Sequence, residues 1–554
     1  MSVSLNIADT LRETARRVPD AAAVVVPGGS RAGRRLYATT TFAELDARAD
    51  ALARGLIAAG VAPGQRLVLM VRPGLDFIAL VYAVFRAAGV LVLIDPGMGP
   101  RHVFHCLDQV EPDGFVAIPP VHAVRVLSRR FPSARLNVTA GRRWFWGGST
   151  LKGILEAGER SVAPLPRTLS TDPAAIIFTS GSTGPAKGVL FEHGMFAAQV
   201  EQIRDRFDIR PGGVDLPGFP LFGLFNAAMG VTTVIPDMNP SKPASVDPRK
   251  IREAVRDQTV TQAFGSPAIW NKVARWLVAN DETFPSIGRI LTAGAPVPPS
   301  LLERLLPRLG PTAEIHTPYG ATEALPVASI EAREVLQETA ALTREGRGTC
   351  VGRPFEKIRV RIIERVDGPI PDLSAARELG PREIGEIIVS GPQVTREYFR
   401  RPDGTALAKI ADGETFWHRM GDVGYFDERG RLWFCGRKGH IVDTASGPLY
   451  TECVEPVFNA QPGVFRTALV GVGPRPRQTP VLIVEADADR SLHPTRNESE
   501  WTQMLLEFAA RQPVTSAVRT ILFHPALPVD VRHNAKINRE LLAEWAAQRV
   551  AGGT

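Results

Sequence analysis

Apolar strands and amphipathic helices alternate along residues 41–293 of this 554-residue chain. Residues 66–71 (RLVLMV) and 90–94 (VLVLI) are predicted to be buried strands, and residues 77–88 between them form a predicted helix. A strand, a helix and a strand in this order favour a parallel sheet covered by helices. The same alternation returns further along, with strands predicted at 174–178, 231–236, 262–265 and 287–293 and helices at 194–207 and 248–256. We therefore predict an α/β fold with two lobes.

The chain after residue 350 has a different pattern. Residues 351–389 contain short alternating segments, such as KIRVRIIE and EIGEIIVSG, that favour antiparallel strands in a small β-rich subdomain. Residues 424–437 predict a hairpin, and a glycine-containing junction follows near residue 438. Because a chain of this length is expected to form several domains, we predict a large N-terminal domain, residues 1–437, and a smaller mobile α+β domain, residues 438–554.

The segment TSGSTGPAKG, residues 179–188, is rich in glycine and hydroxyl side chains. It follows an apolar strand and precedes a helix, a context in which backbone N–H groups can converge on phosphate oxygens. The predicted phosphate-binding residues are Thr179, Ser180, Gly181, Ser182, Thr183, Gly184 and Lys187. The pattern GxxxxGK[ST] is absent from this loop, which disfavours a P-loop NTPase.

Five further segments follow this loop in a fixed order: TAGAP (292–296), TPYGATE (317–323), WHRMGD (417–422), CGRKGH (435–440) and LPVDVRHNAKINRE (527–540). Together with the loop they resemble the adenylate-forming superfamily, which includes acyl-CoA synthetases, luciferases and nonribosomal-peptide adenylation domains. The resemblance extends over essentially the whole chain. It implies an enzyme that uses ATP and Mg²⁺ to activate a carboxylate as an acyl-adenylate.

The resemblance also implies roles for individual residues at the nucleotide. Tyr319 would stack on adenine, and Asp422 would accept hydrogen bonds from both ribose hydroxyls, which suits a carboxylate. Arg437 would close the nucleotide site at the domain junction. Glu323 would help to hold Mg²⁺, which prefers hard oxygen ligands. The remaining residues expected beside the adenine and ribose are Gly294, Ala295, Pro296 and Gly320.

Catalysis is assigned by the same resemblance to Thr322, Lys187 and Lys536. Thr322 would approach the α-phosphate. Lys536, brought by the mobile domain, would stabilise charge on the carboxylate and the α-phosphate as the new bond forms.

At three positions the chain departs from the superfamily pattern. Ala186 replaces the usual proline of the phosphate loop and is expected to change the rigidity of the loop more than its chemistry. Ala535 replaces the glycine before the catalytic lysine. Gly439 stands at the hinge position that commonly holds Asp or Lys, so we expect a freer joint between the domains.

The acyl pocket is predicted from the segments FEHG and FPLFGLF, because the superfamily lines its pocket with residues at these places. The candidate residues are His193, Phe222, Gly223 and Phe225. Apolar residues in such segments would equally suit the protein core, so both interpretations stay open.

Longer stretches, among them FDIRPGGVDLPGFPLFGLF, TVIPDMNP, FGSPAIW and GPLYTE, resemble the β-lactone synthetases of bacterial olefin biosynthesis. This resemblance implies a long-chain 2-alkyl-3-hydroxy acid as substrate, whose own 3-hydroxyl attacks the acyl-adenylate and releases AMP. Association with other enzymes of that pathway stays open. The alternatives are a long-chain acyl-CoA synthetase and a sensor or scaffold that binds ATP without turnover. Lys187, Glu323, Asp422 and Lys536 together argue against the sensor.

Composition excludes several other classes of protein. The net charge of +7 comes from arginines that are spread along the chain, which favours solvated surface over a nucleic-acid footprint. The four cysteines form no CxxC pair, so neither zinc nor a disulfide framework is indicated. The N-terminus carries charges where a signal peptide would be apolar, and the most apolar stretch, 77–94, is interrupted by Arg86. We expect a cytoplasmic protein without transmembrane segments that binds small molecules.

Overall fold

The computed structural model describes residues 3–178, 186–219, 221–495, 497–529 and 537–551. Its helices are α1 Asp9–Arg17, α2 Phe42–Ala58, α3 Leu75–Arg86, α4 Pro100–Val110, α5 Pro119–Ser128, α6 Leu151–Glu159, α7 His193–Arg206, α8 Phe222–Met229, α9 Pro248–Asp257, α10 Pro267–Ala279, α11 Pro299–Leu305, α12 Ala332–Glu334, α13 Ala340–Arg344, α14 Pro402–Ala408, α15 Thr451–Asn459, α16 Glu498–Ala510 and α17 Arg539–Ala551.

The strands are β1 Ala22–Arg31, β2 Arg34–Thr41, β3 Arg66–Met70, β4 Val90–Leu93, β5 Gly114–Ala117, β6 Leu136–Thr139, β7 Ser149–Thr150, β8 Pro173–Phe178, β9 Gly188–Glu192, β10 Val214–Pro217, β11 Thr232–Val234, β12 Gln262–Gly265, β13 Arg289–Thr292, β14 Glu314–Ala321, β15 Ala324–Glu331, β16 Thr349–Pro354, β17 Arg359–Ile363, β18 Gly385–Ser390, β19 Lys409–Asp412, β20 Thr415–Phe426, β21 Leu432–Arg437, β22 Val442–Thr444, β23 Gly447–Leu449, β24 Val464–Val472, β25 Thr479–Ala486 and β26 Thr520–Phe523.

The first lobe is a mainly parallel sheet with the strand order β7-β6-β5-β3-β4-β8-β9. The parallel sheet predicted from residues 66–94 is confirmed, since β3 and β4 are parallel neighbours. Along β3, Leu67 and Leu69 belong to the core beneath α2, α3 and α6, whereas Val68 belongs to the core beneath α4. Both faces of this sheet are therefore buried, which explains why its strands are almost continuously apolar.

The second lobe is a longer sheet with the strand order β17-β18-β20-β21-β16-β15-β14-β13-β12-β10-β11-β1-β2. Its central pairs, from β1–β11 to β13–β14, are parallel. The α/β fold class is thus confirmed. The predicted β-rich segments, including the β20–β21 hairpin, are antiparallel, but they continue this sheet through β15 and β16 instead of forming a sheet of their own.

The last part of the chain contains a small sheet, β24-β25-β26, with its own apolar clusters. The apolar cluster that includes Trp433 and Cys435 also contains Ile441 and Cys453, so packing continues across residue 438. The domain boundary near residue 438 stays a prediction. Among the described residues, no helix has the length and apolar character needed to cross a membrane.

Candidate active site

A cavity of about 2940 Å³ opens between the lobes and the C-terminal part of the chain. Successive strand ends of the long sheet supply its polar wall. The turn after β13 carries Gly294, β14 carries Tyr319, and the turn between β14 and β15 carries Glu323. Residues predicted between positions 294 and 437 therefore line one cavity. For β13 and β14 this follows because parallel neighbours end on the same edge of a sheet.

A hydrogen-bonded trio forms the centre of the polar wall. The Tyr319 hydroxyl donates to Asp422 Oδ2 over 2.6 Å, and Arg437 Nη1 lies 3.1 Å from Asp422 Oδ1. Asp422 and Arg437 face each other as paired residues of the β20–β21 hairpin, so backbone register fixes the ion pair. The sequence motifs placed these three residues at the nucleotide but did not predict their contact with one another.

Burial dominates the electrostatics of this trio. Desolvation raises the pKa of Asp422, while Arg437 and the Tyr319 hydroxyl oppose that shift by stabilising the carboxylate. Asp422 in turn raises the pKa of Arg437, which stays charged. Asp422 Oδ1 is buried and accepts no hydrogen bond from the described residues, although Arg437 is near. This oxygen therefore keeps acceptor capacity that a hydroxyl donor such as a ribose diol could use.

Glu323 lies on the cavity wall beside the trio. Its Oε1 accepts a hydrogen bond of 2.7 Å from the Tyr398 hydroxyl, and its backbone carbonyl accepts from Thr395 N and Oγ1 over 2.9 and 3.1 Å. The Lys187 ammonium sits 4.8 Å from the centre of the Tyr398 ring. Tyr398 thus connects the predicted metal ligand with the predicted phosphate-binding lysine.

Two glycines permit the tight backbone geometry of the polar wall. Gly294, just after β13, has φ +94°, a conformation that disfavours other residues. At Gly320 an added Cβ would lie 2.7 Å from the carbonyl oxygen of Ala324. Ala295 and Pro296 follow Gly294 on the cavity wall, and Thr322 lies on the wall next to Glu323. The structure therefore places every described residue predicted at the adenine, ribose and metal on one wall, while their roles stay predictions.

The opposite wall of the cavity is apolar. Phe222 and Phe225, both in α8, line it, and the Phe222 ring stacks on Phe264 with 3.6 Å between centroids. These residues have the position that the predicted acyl pocket requires.

His193 and Gly223 do not lie on this wall, which corrects their assignment to the acyl pocket. His193 is fully buried, its Nδ1 accepts from Ile7 N over 3.3 Å, and its ring packs edge-on against Phe85. Gly223 faces the core, where an added Cβ would lie 3.1 Å from Ile78 Cδ1. Core and pocket residues have the same apolar sequence context, and only the direction of each side chain separates them.

Two predicted elements fall outside the described residues. These are the phosphate-binding residues Thr179, Ser180, Gly181, Ser182, Thr183 and Gly184, and the catalytic Lys536. The context predicted for the loop was partly wrong. The segment after it is strand β9, antiparallel to β8, and α7 begins only at His193, because Val189 and Phe191 are buried in alternation along GVLFE.

An ion pair and two hydrogen bonds hold the residues at the predicted domain junction. Lys438 Nζ lies 3.0 Å from Glu386 Oε2, and Arg475 Nη2 donates to the carbonyl oxygens of Gly439 and Ile441, each over 3.0 Å. Glycine at position 439 therefore coexists with specific contacts that hold the joint in this arrangement. Nothing in the sequence motifs indicated Arg475, which lies 36 residues from Gly439.

The residues of the polar wall suit Mg²⁺ only together with phosphate. No group of three or more His, Cys, Asp or Glu side chains that could hold a metal ion occurs in the described part of the chain. Mg²⁺ is commonly held by one or two carboxylates, substrate phosphates and water. Glu323 fits such a partial site.

Comparison with known proteins agrees with this geometry. The family model described as AMP-binding enzyme matches residues 11–399. The chain is 48% identical to an olefin beta-lactone synthetase of Stenotrophomonas maltophilia over 99% of both chains, and 48% identical to one of Xanthomonas campestris over 99% of both. The amide bond synthetase McbA from Marinactinospora thermotolerans has the same fold, with a TM-score of 0.76, 22% identity, and coverage of 97% of this chain and 99% of that one.

Proposed function

Since this chain belongs to the family of AMP-binding enzymes and is an adenylate-forming ligase, we propose that it converts a long-chain 2-alkyl-3-hydroxy acid into a β-lactone. The substrate carboxylate attacks the α-phosphate of ATP and displaces pyrophosphate. The 3-hydroxyl oxygen then attacks the activated carbonyl, AMP leaves and the hydroxyl proton is lost. The observation that carries this proposal is 48% identity over 99% of both chains to proteins named olefin beta-lactone synthetase.

The polar wall supports the first step. Tyr319 provides an aromatic face for adenine, and the buried Asp422 provides carboxylate oxygens for the ribose hydroxyls. Arg437 compensates part of the cost of keeping that carboxylate charged. Glu323 would hold Mg²⁺, which neutralises phosphate charge when it is bound. Lys187 and Lys536 would add positive charge at the phosphates, with Lys536 directed at the reacting carboxylate.

The apolar wall supports a long-chain substrate. Phe222, Phe225 and Phe264 lie in the same cavity as the nucleotide wall, so an acid bound along the rings can present its carboxylate to ATP. Burying an alkyl chain contributes about 0.8 kcal/mol per methylene, which favours long chains over short ones.

The second step is physically reasonable because nucleophile and electrophile belong to one molecule. Well-aligned intramolecular reactions reach effective molarities on the order of 10⁵ M. Strain in the four-membered ring opposes closure, and departure of AMP provides the compensating drive. A cavity that excludes water would protect the adenylate from hydrolysis until the ring closes.

Product identification tests the proposal. The purified enzyme is incubated with ATP, Mg²⁺ and a racemic 2-alkyl-3-hydroxy acid, with and without coenzyme A, and products are identified by NMR and mass spectrometry. We expect a β-lactone and AMP in equal amounts whether or not coenzyme A is present. The 2-alkyl acid that lacks the 3-hydroxyl is the matched control and yields no lactone.

A thioester as the main product in the presence of coenzyme A would contradict lactone formation and favour an acyl-CoA synthetase. A second measurement addresses the sensor alternative. Lys536→Ala should reduce pyrophosphate release at least about a hundredfold, because a charge that stabilises the transition state is lost. Equal release by this variant would show that Lys536 has another role.

A further inference from the structure

Exposed apolar side chains and arginines share one surface of the first lobe, formed by α5 and residues 129–145. We call it the α5 surface. Its apolar members are Val124, Leu127, Trp144 and Phe145, with 50%, 74%, 53% and 67% of their surface exposed. Its exposed arginines are Arg129, Arg130, Arg135, Arg142 and Arg143. Large aromatic side chains that remain in contact with water are commonly used in binding.

A buried anchor holds the two parts of the α5 surface together. The Trp146 ring stacks on His122 of α5 with 5.7 Å between centroids, and its Nε1 donates to Thr139 Oγ1 over 2.9 Å. Trp144 and Phe145 contact the other sides of Trp146, at 5.3 and 5.1 Å. The exposed rings are therefore fixed next to α5, and presenting them costs little further conformational entropy.

The charge around this surface has one sign. Residues 114–155 contain six arginines and one lysine but no aspartate or glutamate. The arginines are spread along the chain as a whole, yet here they are not balanced by neighbouring carboxylates in sequence. Arg130 pairs with Asp108 of α4 over 3.0 Å, and the charge of the surface remains positive. A positive surface of this kind complements an array of negatively charged phosphate groups.

The α5 surface is continuous with the apolar cavity. Val121, Val124 and Arg125, on one side of α5, line the cavity, and Val124 is also half exposed. The Nε atom of Arg125 is buried and makes no hydrogen bond within the described residues. The guanidinium carbon of Arg125 lies 6.0 Å from the centre of the Phe115 ring. A single helix therefore separates the exposed aromatic residues from the space that would receive a long chain.

We propose that the α5 surface docks on an anionic phospholipid bilayer. Trp144 and Phe145 insert at the level of the headgroups, where tryptophan is enriched in membrane proteins, and the arginines contact lipid phosphates. The adjoining cavity then faces the phase in which long-chain acids dissolve. The purpose of docking rests on the proposed function, because only a long-chain substrate requires access from a membrane. The binding to the bilayer depends on the α5 surface alone.

Vesicle binding by the full chain, without ATP or substrate, tests the proposal. We expect the protein to sediment with vesicles of phosphatidylglycerol and phosphatidylcholine, to bind phosphatidylcholine alone more weakly, and to be released by salt. Arg129→Gln with Arg142→Gln should lower the partition coefficient about twentyfold, since each basic residue near an anionic surface contributes about fivefold. Trp144→Ser with Phe145→Ser should lower it about tenfold or more.

The matched control combines Arg160→Gln, Val162→Ser and Arg167→Gln, which are also exposed. These three residues follow α6. Helix α6 packs on α2, and both cover one face of the sheet of the first lobe, whereas α4 covers the other face. This control should bind like the unaltered protein, and all variants should keep its unfolding temperature. Equal loss in the control, or no binding to anionic vesicles, would overturn the proposal. A change in oligomeric state caused by Trp144→Ser with Phe145→Ser would overturn it too and identify an interface between copies.

The outcome is separable from that of the proposed function. If the chain forms thioesters instead of lactones, vesicle binding is still expected, because no acceptor chemistry enters the measurement. If vesicle binding fails while lactone forms, the docking proposal alone is wrong.

Discussion

Asp422 and Asp215 are equally buried, each with 3% of its surface exposed, but they lie in different walls of the cavity region. Asp422 has Arg437 and the Tyr319 hydroxyl beside it. Asp215 lines a small cavity together with Phe222 and Phe225 and accepts a hydrogen bond of 2.7 Å from Asn226 Nδ2. Arg289 lines the same cavity but forms no ion pair with Asp215 in the described part of the chain. Desolvation raises the pKa of both carboxyls, to about 7 for Asp215.

The difference teaches how one cavity serves two kinds of ligand. On the polar wall, Arg437 and the Tyr319 hydroxyl compensate part of the cost of burying the Asp422 carboxylate, which is the proposed acceptor for the ribose hydroxyls. On the apolar side, the buried acid Asp215 lies next to the rings, outside the lining of the large cavity, and is held by Asn226. If this division is correct, changes in one wall should affect one substrate and spare the other.

The largest effect is expected from Asp422→Ala. Two hydrogen bonds from ribose to a carboxylate are lost, each contributing about 1.5–3 kcal/mol, so kcat/KM for ATP should fall about a thousandfold. Pyrophosphate release measured against ATP concentration checks this, and the KM for the acid should hardly change. Glu414→Gln, in the exposed turn between β19 and β20, is the control. A comparable loss for the control, or an unchanged kcat/KM for ATP in Asp422→Ala, would remove Asp422 from the nucleotide site.

Much of this polar wall could be predicted from sequence, because its residues lie in compact motifs whose types suit their chemistry. The contacts between motifs could not. The Tyr319–Asp422 hydrogen bond spans 103 positions, and the Tyr398–Glu323 bond spans 75. Such pairs depend on strand order, and β14 is separated from β20 by three other strands of the sheet.

The apolar wall was predicted less well, for a different reason. Phe222 and Phe225 lie on the cavity, but His193 and Gly223 point into the core. A segment such as FPLFGLF has the same composition whether a given side chain faces a pocket or the interior. The alternating α/β pattern fixed the fold class, whereas the junction with the β-rich strands was set by pairing of β15 with β16, which has no local signal.

Phe225→Ala should produce the second largest effect. Removing the ring takes away apolar contact worth about 1.5–3 kcal/mol, so the KM for a long-chain acid should rise about tenfold while the KM for ATP stays constant. Initial rates with both substrates varied separately measure the split. Phe225→Leu restores most of the apolar contact and should recover most of the affinity. A rise in the KM for ATP instead would mean that the walls are not independent.

A smaller effect is expected from Tyr398→Phe, which removes the hydrogen bond to Glu323 Oε1 and keeps the ring beside Lys187. One lost hydrogen bond contributes about 0.5–1.5 kcal/mol, so the Mg²⁺ concentration for half-maximal activity should rise about fivefold. Titration of activity with Mg²⁺ at saturating ATP gives this value. A purely structural role of Tyr398 would lower the unfolding temperature and leave the Mg²⁺ dependence unchanged.

The smallest effect on activity, and the sharpest contrast with Asp422, is expected from Asp215→Asn. Because the folded-state pKa of Asp215 is about 7 and its ordinary value is 3.8, the folded protein retains a proton that the unfolded chain has released. The stabilisation is complete below the ordinary pKa and is lost as pH rises through 7, by at most about 1.4 kcal/mol per pH unit. Asp215→Asn should remove this part of the dependence of stability on pH, so its unfolding temperature should exceed that of the unaltered protein at pH 8, with kcat/KM unchanged.

The control is Asp281→Asn, at a side chain that is 94% exposed, and it should leave the dependence of stability on pH as it is. If Asp215→Asn shows the same dependence of stability on pH as the unaltered protein, Asp215 is ionised in the folded state. The two buried carboxyls would then differ only in the ion pair of Asp422 with Arg437.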